Sequence, residues 1–254
     1  METIGLIAAM PSESKALLRC IKKWERTSIG SFRGIRFQLM DRDCHLITSG
    51  MGLKRTIDAT RALIGATNPQ LLISFGIAGA VKDDLAIGDV IVAENVSSLD
   101  EGMLGQSQTL ASLSKAAWGA AAQDLQTEGA HLVAGTAITT RGSQLVLQSL
   151  DKMAYPILEM ETAGIAQVAA EMKIPLVSIR SVSDSPQAPI PFDLEEVLDD
   201  KYNFRIGKML LLVLRSPQII FQSRKMMLNS RIASDHAARA VVAALNQPSP
   251  VIST

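Results

Sequence analysis

Three acids stand where apolar runs end: Glu13 after residues 4–9, Glu161 after residues 156–160, and Asp184 after residues 174–180. The last two share one stretch, LEMETAGIAQVAAEMKIPLVSIRSVSD (158–184), which also holds Glu159 and reads as strand, helix over 162–172, and strand. Open α/β sheets bind ligands beyond the carboxyl ends of their strands. A carboxyl group placed there can protonate a leaving group or hold a sugar hydroxyl. The pattern predicts an enzyme acting on a small polar molecule. Taken singly, the acids have plainer explanations: Glu13 could serve the first turn of a helix, and Glu159 a salt bridge.

The elements needed to position these acids are those of one α/β domain. The chain has 254 residues, 47% of them apolar and only 4% aromatic, which suits close helix-on-sheet packing. A formal charge of zero gives nucleic acid no global electrostatic claim on it. The charge is uneven, however. Residues 201–254 hold eight Lys and Arg against the single acid Asp235, a net +7. With their long apolar neighbours, Lys208, Arg215, Arg224 and Lys225 could meet a membrane surface, an acidic partner or another subunit. The longest apolar run there, 209–214, is far short of the about 20 residues that span a bilayer. The N-terminal residues read as a first strand rather than a leader. A cytoplasmic location is expected, with membrane association through the tail as an option.

The pass along the chain predicts a strand over 4–9, a helix over 12–22, paired strands over 35–40 and 44–48, and a helix over 53–66. A strand over 71–75 then empties into a turn, Gly76-Ile77-Ala78-Gly79, and another strand spans 89–93. Residues 94–108 read as a rim loop, 109–128 as a helix, 132–134 as a short strand and 142–152 as a helix. Proline-rich 185–191 reads as a loop beside the site, with helices over 193–215 and 218–246 broken at Pro217. The expected architecture is a three-layer α/β/α sandwich around a central mixed sheet. It forms one domain over 1–246, with 201–246 a basic, apolar helical extension and 247–254 a frayed tail.

Several chemistries have no motif to carry them. Gly50-Met51-Gly52 lacks the third glycine of a dinucleotide fingerprint, Arg55 standing in its place. No Walker lysine and no Gly-x-Ser-x-Gly elbow occurs. Cys20 and Cys44 form no disulfide framework, and His45, His131 and His236 have no ligand partners at metal spacing, so neither metal nor cofactor is expected.

With these residues in view, the chain resembles the purine nucleoside phosphorylase and nucleosidase superfamily, most closely the methylthioadenosine/S-adenosylhomocysteine nucleosidases. IGLIAAMPSES, SGMG, FGIAGAVKDDLAIGDVIVAE, LEMETAGIA and VSIRSVSD carry the likeness in order, from Ile4 to about Phe192. The resemblance implies that Glu13 activates the attacking water and that Asp184 protonates purine N7. It also implies that Glu161 binds ribose hydroxyls with Met160 packed on sugar and base, that Arg180 helps hold the water and that Ser183 positions Asp184. Ala78 and Gly79 would border the ribose, and Ile138 would lie along the purine. A nucleoside substrate and a homo-oligomer, as a dimer, follow from the same likeness.

The resemblance also carries departures. Ile77 stands where these nucleosidases carry a small polar residue, the 94–108 rim lacks aromatics, and the tail after Phe192 has no counterpart in the compact nucleosidases. Strict strand alternation would put Met160 opposite Glu159 and Glu161. For Met160 and Glu161 both to line a site, the chain must turn between them. Hydrolysis of a 5′-modified adenosine to release adenine is the expected reaction, because Glu13 would repel phosphate. A phosphate-dependent phosphorylase is the alternative. So is a nucleosidase for a lipid-linked adenosyl compound of the kind associated with hopanoids.

Overall fold

The computed structural model describes residues 1–100, 102–140, 150, 152–186 and 218–253, with side chains of the last helix from Arg224 onward. In chain order the elements are β1 (Glu2–Ala8), α1 (Pro11–Arg19), β2 (Glu25–Ile29), β3 (Phe32–Leu39), β4 (Arg42–Thr48) and α2 (Leu53–Thr67). Then come β5 (Leu71–Ala80), β6 (Val90–Asp100), β7 (Met103–Leu104), β8 (Gln108–Thr109), α3 (Lys115–Gln126) and β9 (Leu132–Thr140). The chain continues with β10 (Pro156–Glu159), α4 (Thr162–Met172), β11 (Leu176–Asp184) and α5 (Gln218–Leu245).

All the strands join one mixed sheet in the order β10-β9-β6-β11-β5-β1-β4-β3-β2, with β7 and β8 hydrogen-bonded to β6. Because β10 also pairs antiparallel with β5, the strands β5, β11, β6, β9 and β10 close into a ring. Alternation along the strands feeds two cores. Ile4, Leu6, Ile73, Phe75, Val177 and Ile179 face one way, with Leu17 of α1, Leu125 of α3 and Val241 of α5. Ile7, Ile47, Leu72, Ile91 and Val182 face the other, with Leu63 of α2 and Ile165 and Val168 of α4. Helices therefore cover both faces, and the expected three-layer sandwich holds.

Several expectations need correction. Gly76–Gly79 is not a turn, because β5 runs through it to Ala80 with Gly79 paired to both Leu158 and Asp184. Residues 94–108 are not a loop. β6 continues to Asp100 and carries β7 and β8 as antiparallel partners, and β9 extends to Thr140 beside it. The helix expected from 109 begins only after Ser114, whose side chain accepts from Ala117 N–H as an N-cap. The helices expected over 142–152 and 193–215 and most of the 185–191 loop lie outside the described residues, as do Lys208 and Arg215.

From residue 218 on, where it is described, the C-terminal segment is not an appended extension. Ala238, Ala240, Val241 and Leu245 of α5 are fully buried in the first core. Nor is the tail frayed. Ser114 N–H donates to Val251 O at 2.8 Å and Ser253 N–H to Ser112 O at 3.0 Å. The buried Arg42 guanidinium donates to the carbonyls of Leu245, Gln247 and Ser249 at 2.6–2.8 Å, while its Nε meets Glu2. A cation placed on the free carbonyls at a helix C-terminus satisfies them and complements the helix dipole. Arg224 and Lys225 are exposed nearer the start of α5. Among the described residues no helix is long and apolar enough to cross a membrane.

Candidate active site

Glu13 sits in the first turn of α1, behind Met10 at the N-cap and Pro11 at the first helical position. Its carboxylate accepts from Met10 N–H at 2.8 Å and from Ile77 N–H at 3.0 Å, and it is buried. It therefore closes the helix start and also faces β5. The glycine opposite makes room for it. A Cβ on Gly76 would collide with Glu13 Oε1 and lie 2.8 Å from Arg180 Nη1, so Gly76 is the point where acid and guanidinium converge on the strand. Ile77 contributes its backbone N–H here, which any residue type could supply.

The chain does turn after Glu159, as a shared lining role for Met160 and Glu161 would require. β10 stops at Glu159, and Glu161 becomes the N-cap of α4 with φ −129° and ψ −40°, leaving Met160 half-buried between them. Glu161 Oε1 accepts from Gly52 N–H at 3.3 Å, which ties α4 to the glycine turn before α2. Gly52 has φ +94°, a conformation costly for a residue with a Cβ. Glu159 lies deeper. It accepts from Glu161 N–H at 2.9 Å, Thr162 N–H at 2.7 Å, the Thr162 hydroxyl at 2.8 Å and the Thr139 hydroxyl. Arg180 Nη2 reaches it at 3.2 Å, and also Ser74 Oγ at 2.7 Å and Thr162 Oγ1 at 3.0 Å. Sequence reasoning gave Glu159 only a salt bridge. The signal for more was Arg180 itself, a charge in the middle of the apolar strand Leu176–Val182 that had to find a buried partner.

Asp184 ends β11 just after a register shift at Ser183. The Ser183 hydroxyl donates to Asp184 Oδ1 at 2.6 Å. A Cβ on Gly79 would come within 2.5 Å of Asp184 Oδ2, so Gly79 permits the close approach of β5 to this acid, with Ala78 beside it. Glu13, Met160, Glu161, Arg180, Ser183, Asp184, Ala78 and Gly79 are thus carried on α1, β5, β11 and the β10–α4 turn. Ile138 is placed differently. It is fully buried in a small cluster with Val81, Leu99 and Leu150, and it pairs with Leu158, the strand partner of Gly79.

Burial dominates the electrostatics. It raises the carboxyl of Glu13, with Arg180 and three backbone N–H groups pulling the other way. It raises Asp184 above the ordinary 3.8, opposed by the Ser183 hydroxyl. Glu161 is pushed up to about 8 by burial and by the nearby charge of Glu159. A carboxyl raised from 4.5 to about 8 holds its proton in the folded chain where the unfolded chain has lost it. The stabilisation it contributes is complete below pH 4.5 and disappears as pH rises through 8. Glu161→Gln, neutral throughout, should therefore gain melting temperature over the wild type between pH 5 and 8. The gain should be about 3 °C or more, since each kcal/mol is worth ~2–4 °C in a chain of this size. Scanning calorimetry across that range checks it; a difference that stays flat with pH would contradict it.

This arrangement sets two acids with carboxyls raised by burial, Asp184 at the end of β11 and Glu13 beside a guanidinium, on the same group of elements. The same elements recur elsewhere. A model of the phosphorylase superfamily matches residues 3–206. The chain belongs to that superfamily. The 5′-methylthioadenosine/S-adenosylhomocysteine nucleosidase of Shewanella pealeana is 31% identical over 212 residues, covering 77% of this chain and 91% of the relative. Its counterpart from Tolumonas auensis is 30% identical, with coverage of 77% and 92%. Among solved structures, the Neisseria meningitidis nucleosidase of the same name, in complex with methylthio-immucillin-A, superposes with a TM-score of 0.70 at 19% identity, covering 97% of this chain and 99% of that one. A futalosine hydrolase of Helicobacter pylori superposes at 0.67 with 17% identity, covering 95% and 96%. At such identities the structures show the shared fold. A match over 97% of the chain takes in α5, so this part of the segment after Phe192 does have a counterpart. By class the chain is a nucleosidase, an N-glycosyl hydrolase of the phosphorylase superfamily.

Proposed function

We propose that this protein hydrolyses the N-ribosyl bond of a 5′-modified adenosine of the methylthioadenosine or adenosylhomocysteine type, releasing adenine. The observation that carries this reading is Glu13: a buried carboxylate, fixed by two backbone N–H groups, set against Gly76 beside Arg180. A negative group there accepts a proton from water and repels phosphate. The neighbouring cation favours the same conclusion, because Arg180 Nη2 is committed to Ser74, Thr162 and Glu159. A phosphate site needs several cations that are free to turn toward it.

Cleavage of C1′–N9 builds positive charge on the ribose and negative charge on the base. Asp184, whose carboxyl burial raises and which Ser183 orients, donates a proton to N7 so that the base departs neutral. Glu161, held by Gly52 N–H, accepts from ribose hydroxyls, and Met160 packs on the sugar. Glu13 draws the proton from water as that water meets C1′. Arg180 Nε is buried without a partner among the described residues and is available to hold the water. Metal or cofactor has no step assigned to it here.

The nature of the 5′ group is tested by measuring free base from methylthioadenosine, adenosylhomocysteine, futalosine, adenosine and inosine, each with and without phosphate. Release of adenine from the first two, at rates unchanged by phosphate, is expected. Dependence on phosphate would overturn the hydrolase reading, and preference for futalosine or inosine would overturn the adenosine assignment.

A further inference from the structure

We propose that Glu159 is a positioning residue for this reaction, holding Arg180 by one nitrogen so that the guanidinium supports the water beside Glu13 instead of collapsing onto the Glu13 carboxylate. The inference rests on the hydrolase reading above, and it assigns a task to an acid that touches no substrate.

The geometry is specific. Glu159 ends β10 and accepts from five donors, three of them at the start of α4. The fifth is Arg180 Nη2, which Ser74 and Thr162 also hold. Three groups thus fix one nitrogen, while the other, Nη1, lies against Gly76 with Glu13 Oε1 on the same side of that residue. Arg180 and Glu159 are both almost fully buried, so neither charge is relieved by solvent. Removing the Glu159 charge would leave the guanidinium with the carboxyl groups of Glu13 and Glu161 as its remaining acidic neighbours. These, with Glu159 and Arg180, are the charged groups facing this part of the site. An Arg that pairs fully with Glu13 lowers its basicity, and the attack on C1′ weakens with it.

Glu159 also fixes Glu161. It accepts the backbone N–H of Glu161 itself, so one carboxylate sets both the water side and the ribose side of the site. An acid at the start of a helix stabilises the helix on its own account, and that alone would be a structural role. The two roles separate in their pH behaviour.

The test compares wild type with Glu159→Gln, which keeps the shape and removes the charge. Expected is a loss of kcat by about 10²-fold or less, a KM changed several-fold at most, and an ascending limb of the pH–rate profile moved down by about one unit. A purely structural role would lower the folded fraction and leave the limb in place; that outcome overturns the proposal. If Glu159→Gln does not fold, Ser74→Ala removes another anchor of the same Arg180 nitrogen, and a smaller shift in the same direction is expected; no shift overturns it. A second readout needs no substrate. The loss of thermal stability between pH 5 and 8, set by the buried carboxyl of Glu161, which the Glu159 charge helps to raise, should be shallower in Glu159→Gln than in wild type. If wild type releases no base from any nucleoside, the hydrolase reading fails, and an unchanged stability slope then overturns the charge coupling separately.

Discussion

Asp184→Asn should release adenine from methylthioadenosine ~10²–10⁴-fold more slowly than wild type, the range that general acid catalysis supplies. The amide keeps the size of the acid and the contact with Ser183 at Oδ1, so binding of adenine should change only several-fold. The descending limb of the pH–rate profile should vanish with the proton that titrates there. A substrate that needs no protonated leaving group separates this from general damage: p-nitrophenyl riboside should be cleaved by the variant at close to the wild-type rate. Equal losses on both substrates would remove Asp184 from the acid's role.

Glu13→Gln should be as severe from the other side of the sugar. The amide cannot take a proton from water, and one of the two N–H donors that now point at Glu13, from Met10 or Ile77, would meet its NH₂ group. A kcat loss of ~10²–10⁴-fold is expected, with the ascending limb abolished instead. Folding should survive. Burial already penalises the charged carboxylate, so the neutral variant should be at least as stable as wild type at pH 8. A variant that turns over normally would show that water is activated elsewhere.

These two residues were legible in the sequence because each follows an apolar run, and the run is what marks a strand end. The architecture was legible for the same reason, since continuous apolar strands alternate with amphipathic helices. What escaped has physical causes. β6 beyond Ala93 mixes buried Val96, Ser97 and Leu99 with exposed Glu94, Ser98 and Asp100, so its polar composition reads as a loop although the ladder to β9 continues. Gly76 and Gly79 read as a turn because glycine favours turns, whereas here they clear space for Glu13 and Asp184 within a straight strand. The basic tail read as an appendage because charge was counted without its partners. Arg239 bridges Asp124 and Glu128 of the α3 region, and small alanines on the same helix bury against the sheet. Ile138 was transferred by likeness alone, and its place beside Leu158 in the folded sheet was outside the reach of any local pattern.

Edge strand β2 was missed altogether, its alternation too short to register. Glu159 was seen but undervalued. Its worth depends on Arg180, 21 positions later in sequence and adjacent only in the folded sheet.

The central claim is that water, activated at Glu13, is the nucleophile. It is tested most directly by letting the enzyme cleave methylthioadenosine in ¹⁸O-labelled water containing phosphate and weighing the sugar product. The account predicts methylthioribose carrying one ¹⁸O at C1, with adenine released in equal amount. A methylthioribose 1-phosphate product would contradict it.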